Sequence, residues 1–345
     1  MKRIFSAGNV ALFLCISVTG LWALWGVSEL FHEGWYAPFE WLFYLLPALG
    51  SLAITLIALT YPRVGGWLLI GIGVIFYGWV LASIAARLGL SLISVLAWFP
   101  VSGLLVVIGI LFLRWEPHAQ TESRPARRLG YLLATGIPLL IGVGFAIEPA
   151  IRVANRVDDG NYGTRQIAGN GVTLIWAPAG PGWAASVTWN ELALYGLPPV
   201  GFAGKTDGLP GGCNLTSSAG CATTQDMQRY NACLYLSTDG SRLETTAQYV
   251  WRMPTTDEVM RSLVYHGEQA GCAWNGQAGV QPCTSRPDKE TPLWKPRAPI
   301  IYLWTAAEAS TQEAYYVVYH DTVGTDVRSF GLGSRGFRCV HEVGR

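Results

Sequence analysis

Six cysteines, three histidines and a few carboxylates are the groups in the second half of this chain whose types could do chemistry. Cys213, Cys221, Cys233, Cys272, Cys283 and Cys339 all fall late in the sequence, while the seventh, Cys15, stands alone in an apolar run. None of the six forms a C-x-x-C pair, so the spacing argues against a zinc cluster. An even number in an exported domain reads as a disulfide framework. Cys213 and Cys221 bracket a Gly- and Ser-rich excursion and would close it as a loop; spacing leaves the remaining pairings open. His266, His320 and His341 show no H-x-x-x-H pattern, so an iron-binding facial triad would need the fold to gather distant residues. Asp158-Asp159-Gly160-Asn161 and Asp321 with Asp326 are oxygen-rich and could hold calcium, but they lack EF-hand spacing, and solvated turns explain them. No G-x-S-x-G or phosphate-binding loop is present. The string Gly331-x-Gly333-x-x-Gly336 precedes a strand instead of opening a helix, which fails the dinucleotide-binding context. Asn214-Leu215-Thr216 is a glycosylation sequon, meaningful only in a host with that machinery. The residue types therefore assign no catalytic residue, no cofactor and no metal ligand.

The elements that must position these groups centre on Trp251-Arg252-Met253-Pro254-Thr255-Thr256-Asp257-Glu258. Residues 248–253 predict a short strand, and Pro254 ends it by withholding a backbone donor. Thr255 predicts an N-cap, with Glu258 three residues on completing a capping box. Val259, Leu263 and Val264 supply an apolar stripe. Strand, stop and capped helix account for the whole stretch without a reaction. Upstream, 172–179 predicts a strand, and 185–196 a short helix with Thr188 as cap and Glu191 as its partner. In 224–240, Met227, Tyr230 and Cys233 or Leu234 recur at helical spacing.

Composition separates this half from the first. The chain has 345 residues, of which 51% are hydrophobic and 14% charged, against about a quarter charged in a globular chain. A net charge of +1 implies no general attraction to nucleic acid. Up to Glu148 the sequence is a series of apolar blocks, at about 8–28, 39–61, 66–86, 89–113 and 129–147. A bilayer-spanning helix needs about 20 such residues. The first block is too long and Trp-rich for a cleaved signal, so it predicts a retained helix. Arg87 is placed in a tight turn at 86–89 between the third and fourth, where a long side chain can snorkel; the alternative, one spanning helix plus a re-entrant piece, would flip everything downstream. Lys2, Arg3, Arg63, Arg114, Arg124, Arg127 and Arg128 fall on one side of a five-helix arrangement, which the positive-inside rule puts in the cytoplasm. Residues 149–345 then emerge outside, in agreement with the cysteine parity. The block interiors carry essentially no ionisable group, as Glu29, His32, Glu33 and Glu40 lie near helix ends; this favours an anchor or scaffold over a proton path. Gly66, Gly71, Gly73 and Gly78 permit close helix packing.

The string W-R-M-P-T-x-x-E, from Trp251 to Glu258, resembles the hallmark of the formylglycine-generating-enzyme-like superfamily, the sulfatase-modifying-factor domains built on a C-type-lectin-like fold. The run 302–327 (YLWTAAEASTQEAYYVVYHDTVGTDV) and the terminal Gly336-Phe337-Arg338-Cys339-Val340 are similar to the later strands of that superfamily and of fibrobacter-succinogenes-type surface domains. The resemblance covers about residues 170–345. It implies an α+β fold with small twisted antiparallel sheets, a Cys233–Cys339 bridge, and a local loop closed by Cys272–Cys283. It does not carry the copper chemistry over. The enzymes hold copper(I) through two cysteines near the terminus; Cys339 matches one position and Ser334 occupies the other, and a hydroxyl is a poor ligand for a soft ion.

The expectation is an all-α transmembrane bundle of about five helices (residues 1–148) followed by a disulfide-stapled, C-type-lectin-like extracytoplasmic domain (149–345). It would sit in the cytoplasmic membrane and act without catalysis, docking a partner membrane protein, a glycan or a surface polymer. The loops 196–221 and 266–299 are the expected contact regions. The alternatives are an accessory subunit of a respiratory or photosynthetic assembly and a metal-dependent modifying factor.

Overall fold

The structure, a computed structural model, describes residues 7–35, 38–88, 92–115, 124–196, 220–329 and 335–344. The chain divides into two compact units, 1–153 and 154–345.

The first unit is helical: α1 (Ala7–Glu33), α2 (Trp41–Thr60), α3 (Pro62–Leu88), α4 (Leu92–Trp98), a π-helical turn (Phe99–Gly103), α5 (Leu104–Arg114) and α6 (Arg124–Ala154). Among the described residues five stretches are long and apolar enough to cross a membrane: Ala7–Glu33, Trp41–Thr60, Pro62–Ala85, Val95–Arg114 and Arg128–Ala154. Small residues let the helices approach. A Cβ added to Gly109 would lie 2.5 Å from the Gly66 carbonyl, and one added to Gly66 would lie 2.9 Å from the Gly109 carbonyl. Ala11, Cys15, Val18, Ala58, Leu69, Ile108 and Phe112 form the buried core there. Hydroxyl pairs cross between helices, Thr19 with Ser51 at 2.8 Å and Thr60 with Tyr131 at 2.7 Å. Three boundaries differ from the sequence expectation. Arg87 lies in the last turn of α3 instead of a tight turn, because Ala85, Ala86 and Leu88 continue the helix readily. The fourth apolar block is broken by the π-helical turn, where Pro100 removes an amide. The fifth runs past Glu148 to Ala154, which moves the unit boundary to 153.

The second unit carries strands β1 (Arg165–Gly169), β2 (Val172–Trp176), β3 (Trp183–Ala185), β4 (Val264–Tyr265), β5 (Glu268–Gln269) and β6 (Gly279–Val280). Further along come β7 (Tyr302–Glu308), β8 (Glu313–Val318), β9 (Thr322–Val327), β10 (Arg335–Arg338) and β11 (Val340–Glu342). They form a three-stranded sheet β1-β2-β11, a six-stranded sheet β3-β10-β7-β8-β9-β6 and the hairpin β4-β5. In the larger sheet β10 runs parallel to β7 and the other pairs are antiparallel. Alternation along the strands divides the core between two faces: Leu303, Val317 and Val323 pack with Trp294 and Met260, while Trp304, Ala314 and Phe337 pack with Trp189 and Trp251.

Three short helices, α7 (Trp189–Ala193), α8 (Thr224–Tyr230) and α9 (Thr256–Arg261), each begin with a full capping box, at Thr188/Glu191, Thr223/Asp226 and Thr255/Glu258. A 3-10 turn, Ala232–Tyr235, follows α8. Residues 248–253 are not a strand. Tyr249 takes a left-handed φ of 57°, which breaks the extended run, and only Arg252 bridges to Val340. The helix after Pro254 stops at Arg261, so Val264 belongs to β4. Cys233 and Cys339 are joined with S–S 2.00 Å, tying the 3-10 turn to the link between β10 and β11, and Cys272 is joined to Cys283. Cys221 is also disulfide-bonded; Cys213 lies outside the described residues. Cys15 is a buried free thiol.

Candidate functional site

The Trp251–Glu258 stretch builds a junction between α9 and β11. The Arg252 guanidinium grips Glu258 with both Nη atoms, at 2.9 and 2.6 Å, and donates through Nε to Glu342 at 3.0 Å. The same Glu258 carboxylate accepts the Thr255 amide at 2.8 Å, so one side chain caps the helix and pairs the cation. Burial alone would raise the Glu258 carboxyl, but the Arg252 bond and the Thr255 cap outweigh it and hold it below the ordinary range. The indole of Trp251 donates to the Ser237 carbonyl at 2.8 Å, and its ring meets His341 edge-on at 4.5 Å. Pro254 hands its carbonyl to Ala306 in β7. Each of these groups is spent on joining elements.

The terminal strand adds a second structural knot. Gly336 is required because a Cβ there would sit 2.3 Å from the Ala184 carbonyl, and Phe337 enters the core. Arg338 is fully buried, and among the described residues its bonds go to carbonyls: Ala177 at 2.9 Å, Pro292 at 2.7 Å and Leu293 at 2.8 Å. Its guanidinium stacks 3.7 Å from the Trp183 ring centre, with Trp176 at 5.7 Å, and Nη2 has no hydrogen-bond partner. Lys295 approaches Trp183 as well, at 5.1 Å. Burial pushes the Arg338 guanidinium well below its ordinary value, and indole faces with carbonyl dipoles replace a carboxylate as its counter-charge.

Among the described residues of the second unit, a cavity lies where β7 and β9 end. It measures about 390 Å³ and is lined by Cys221, Thr223, Glu308, Ala309, Ser310, Thr311 and Arg328. The pairing of β7 with β8 shifts register between Trp304 and Glu308, which re-aims the end of the strand, as bulges do. Arg328 follows β9 and is buried; it pairs with Glu308 at 2.7 Å and donates to the carbonyls of Ala222, Ser310 and Glu313. Its guanidinium also lies 5.1 Å from the Trp189 ring centre. Guanidinium and carboxylate neutralise each other, so the lining offers hydroxyls, a carboxylate edge and backbone groups without net charge. Cys221 is disulfide-bonded and brings no thiol.

A buried ionic cluster lies elsewhere in the unit. Arg156 pairs with Asp288 at 2.9 Å and stacks 5.2 Å from the Tyr319 ring centre. Next to them, burial and then the Arg156 charge push the Lys289 amine down to about 7, against the pull of Asp288; its Nζ donates to Ala298. Glu290 accepts the His266 amide and faces its ring at 3.6 Å. The Thr291 amide donates to the Val157 carbonyl at 3.1 Å, which ties the start of the unit to residues 288–291. The loop 266–299, expected as a contact region, is therefore divided: 287–291 are buried, and 275–280 with 284–286 are exposed. Most of the other expected loop, 196–221, lies outside the described residues.

The histidines are not gathered: His266 turns the β4–β5 hairpin, His320 bonds Thr322 at 3.1 Å, and His341 lies in β11 against Trp251. Among the described residues no group of three or more His, Cys, Asp or Glu is placed to hold a metal ion. The oxygen-rich strings are spent on turns and ion pairs. Asp158 accepts Gly160 and Tyr162, Asp159 accepts Asn161 and Arg165, and Asp326 accepts Val327 and Arg335. Ser334, Gly331, Gly333, Asn214 and Thr216 lie outside the described residues. Glu308 falls in the 302–327 run only as part of a family resemblance, and neither it nor Arg328 stands out in the sequence as a site residue. The signal was the Glu that closes Trp304-Thr305-Ala306-Ala307-Glu308, together with a lone cation just past a strand, but nothing local pairs residues 20 apart. No family model matches the chain, and neither a curated protein nor a solved structure matches it.

Proposed function

We propose that this chain is a membrane-anchored, non-catalytic binding or assembly protein. Its second unit lies outside the cytoplasmic membrane and docks a glycan, surface polymer or partner protein, while the apolar helices hold it in the bilayer. The observation that carries this reading is the cavity around Arg328 and Glu308, whose charges offset each other. It lies in a unit braced by cystines, on a chain with five candidate spans. Arg328 is held by four partners before any ligand arrives, which is the preorganisation that binding requires. We read the unit as a C-type-lectin-like domain of the formylglycine-generating-enzyme-like kind. Support comes from the capped junction at Pro254–Glu258, the antiparallel run β7-β8-β9, and the bridge from the 3-10 turn to the terminal strands. The Cys339 sulfur is taken by Cys233, which favours docking over the copper chemistry of the enzymes it resembles.

The test is retention of purified envelope polysaccharide, peptidoglycan included, by the full chain in mild detergent. Thr311→Trp should fill the cavity and reduce retention at least tenfold, while Val280→Trp, at an exposed edge away from it, should not. Equal retention by both folded variants, or none by the natural chain, would remove the cavity from the account. Stoichiometric copper or iron in the purified protein would replace docking with metal chemistry.

A further inference from the structure

Asp288, Lys289 and Glu290 are consecutive ionisable residues, and all three are buried, at 0%, 1% and 1% exposed. Burying a charge is costly unless it is paired, so the pairing decides what the segment can do. The Asp288 carboxylate is given to Arg156, whose Nε and Nη2 reach it at 3.0 and 2.9 Å, and to the Lys289 amide at 2.7 Å. The Tyr319 ring lies against the same guanidinium at 5.2 Å. Glu290 is engaged with His266, accepting its amide and facing its ring at 3.6 Å. The Lys289 Nζ donates to the Ala298 carbonyl, a dipole instead of a charge. With an uncharged amine, the group of Arg156, Asp288 and Lys289 is neutral. With an ammonium it carries one net positive charge in the interior.

The same residues fasten the start of the unit. The Thr291 amide donates to the Val157 carbonyl at 3.1 Å, the Asp159 amide donates to the Thr291 hydroxyl at 3.2 Å, and Arg156 adds its ion pair. From the other side the Asp288 amide donates to the Val264 carbonyl of β4 at 2.9 Å. Residues 156–159 follow α6 in the chain, and the ion pair that helps hold them uses the carboxylate for which a Lys289 ammonium would compete. We propose that residues 288–291 are a proton-operated latch on the entry segment 156–159. It is closed while Lys289 is an uncharged amine and loosened when that amine takes a proton and draws Asp288 from Arg156. Burial and then the Arg156 charge bring the amine down to about 7, so both states are reached near neutrality. The folded value lies below the ordinary lysine value of about 10.4. The unit therefore gains stability as pH rises through about 7 and loses it on acidification. A unit that faces the exterior, as proposed above, meets such changes of pH; the latch itself does not depend on that orientation.

The experiment is amide hydrogen exchange of the full chain in mild detergent at pH 8 and pH 6, corrected for the intrinsic pH dependence of exchange. Protection around Asp159 and Thr291 should fall at least tenfold from pH 8 to pH 6, while β7 and β8 change less than twofold. Lys289→Met, which keeps the length of the side chain without its charge, should hold protection level across the range. His266→Asn, which removes the neighbouring imidazole, should leave the fall in place. No fall in the natural chain, a fall shared equally by β7 and β8, or a fall that persists in a folded Lys289→Met would each overturn the proposal. If Lys289→Met does not fold, the other two chains decide: a fall confined to the two segments and kept in His266→Asn supports the latch, and its loss in His266→Asn overturns it.

Discussion

At the residue scale, Glu258 has two duties, and each can be removed separately. Thr255→Ala deletes the cap but leaves the Arg252 pair, and should cost about 1 kcal/mol, the usual worth of an N-cap. A thermal melt of the second unit would measure it. Glu258→Gln keeps the shape and removes the charge. Because the folded carboxyl lies below its ordinary value, its contribution is complete above the unfolded pKa, about 4.3, and is lost as pH falls through the folded one. The natural protein should therefore lose stability on acidification below that range, and Glu258→Gln should show a shallower acid limb. Identical limbs would mean that the Arg252 pair contributes nothing. Arg338→Lys should destabilise by several kcal/mol, because an ammonium cannot serve three divergent carbonyls and a ring face together. The contrast shows what the sequence could tell. Thr255 and Glu258 are three residues apart, and the box is legible from spacing. Arg338 reaches Leu293 and Ala177 across 45 and 161 residues, and no local pattern encodes such contacts.

At the element scale, the two described cystines should differ in worth. Cys233–Cys339 closes a separation of 106 residues and Cys272–Cys283 one of 11. Restricting the unfolded chain is worth more for the longer loop, within a typical 2–5 kcal/mol for loss of a native bridge. The Cys233→Ser/Cys339→Ser pair should lower the unfolding temperature more than Cys272→Ser/Cys283→Ser; the reverse order would show that packing around Cys272 dominates. The apolar helices were legible because about 20 apolar residues in a row leave few alternatives. Their interruption at 99–103 was not, since Pro100 in an apolar run is compatible with an end, a kink or a π turn. The run 248–253 failed for a related reason. Its aromatic and β-branched residues favour a strand, but Tyr249 adopts a left-handed backbone, a tertiary choice that propensity does not record.

At the scale of the whole molecule, five candidate spans among the described residues precede a cystine-braced unit. The proposed orientation rests on the cationic residues that flank the helices, and the proposed docking role requires the second unit to face away from the cytoplasm. Five crossings put the two ends of the chain on opposite sides; one fewer would return residues 154–345 to the cytoplasm, where disulfides are rare. The most direct measurement is thiol labelling of intact cells expressing a Cys15→Ala chain with a membrane-impermeant maleimide. The prediction is no labelling until an impermeant reductant is added, and then modification of the C-terminal cysteines without permeabilisation. Free thiols that react only after the cells are opened would contradict both the orientation and the docking role.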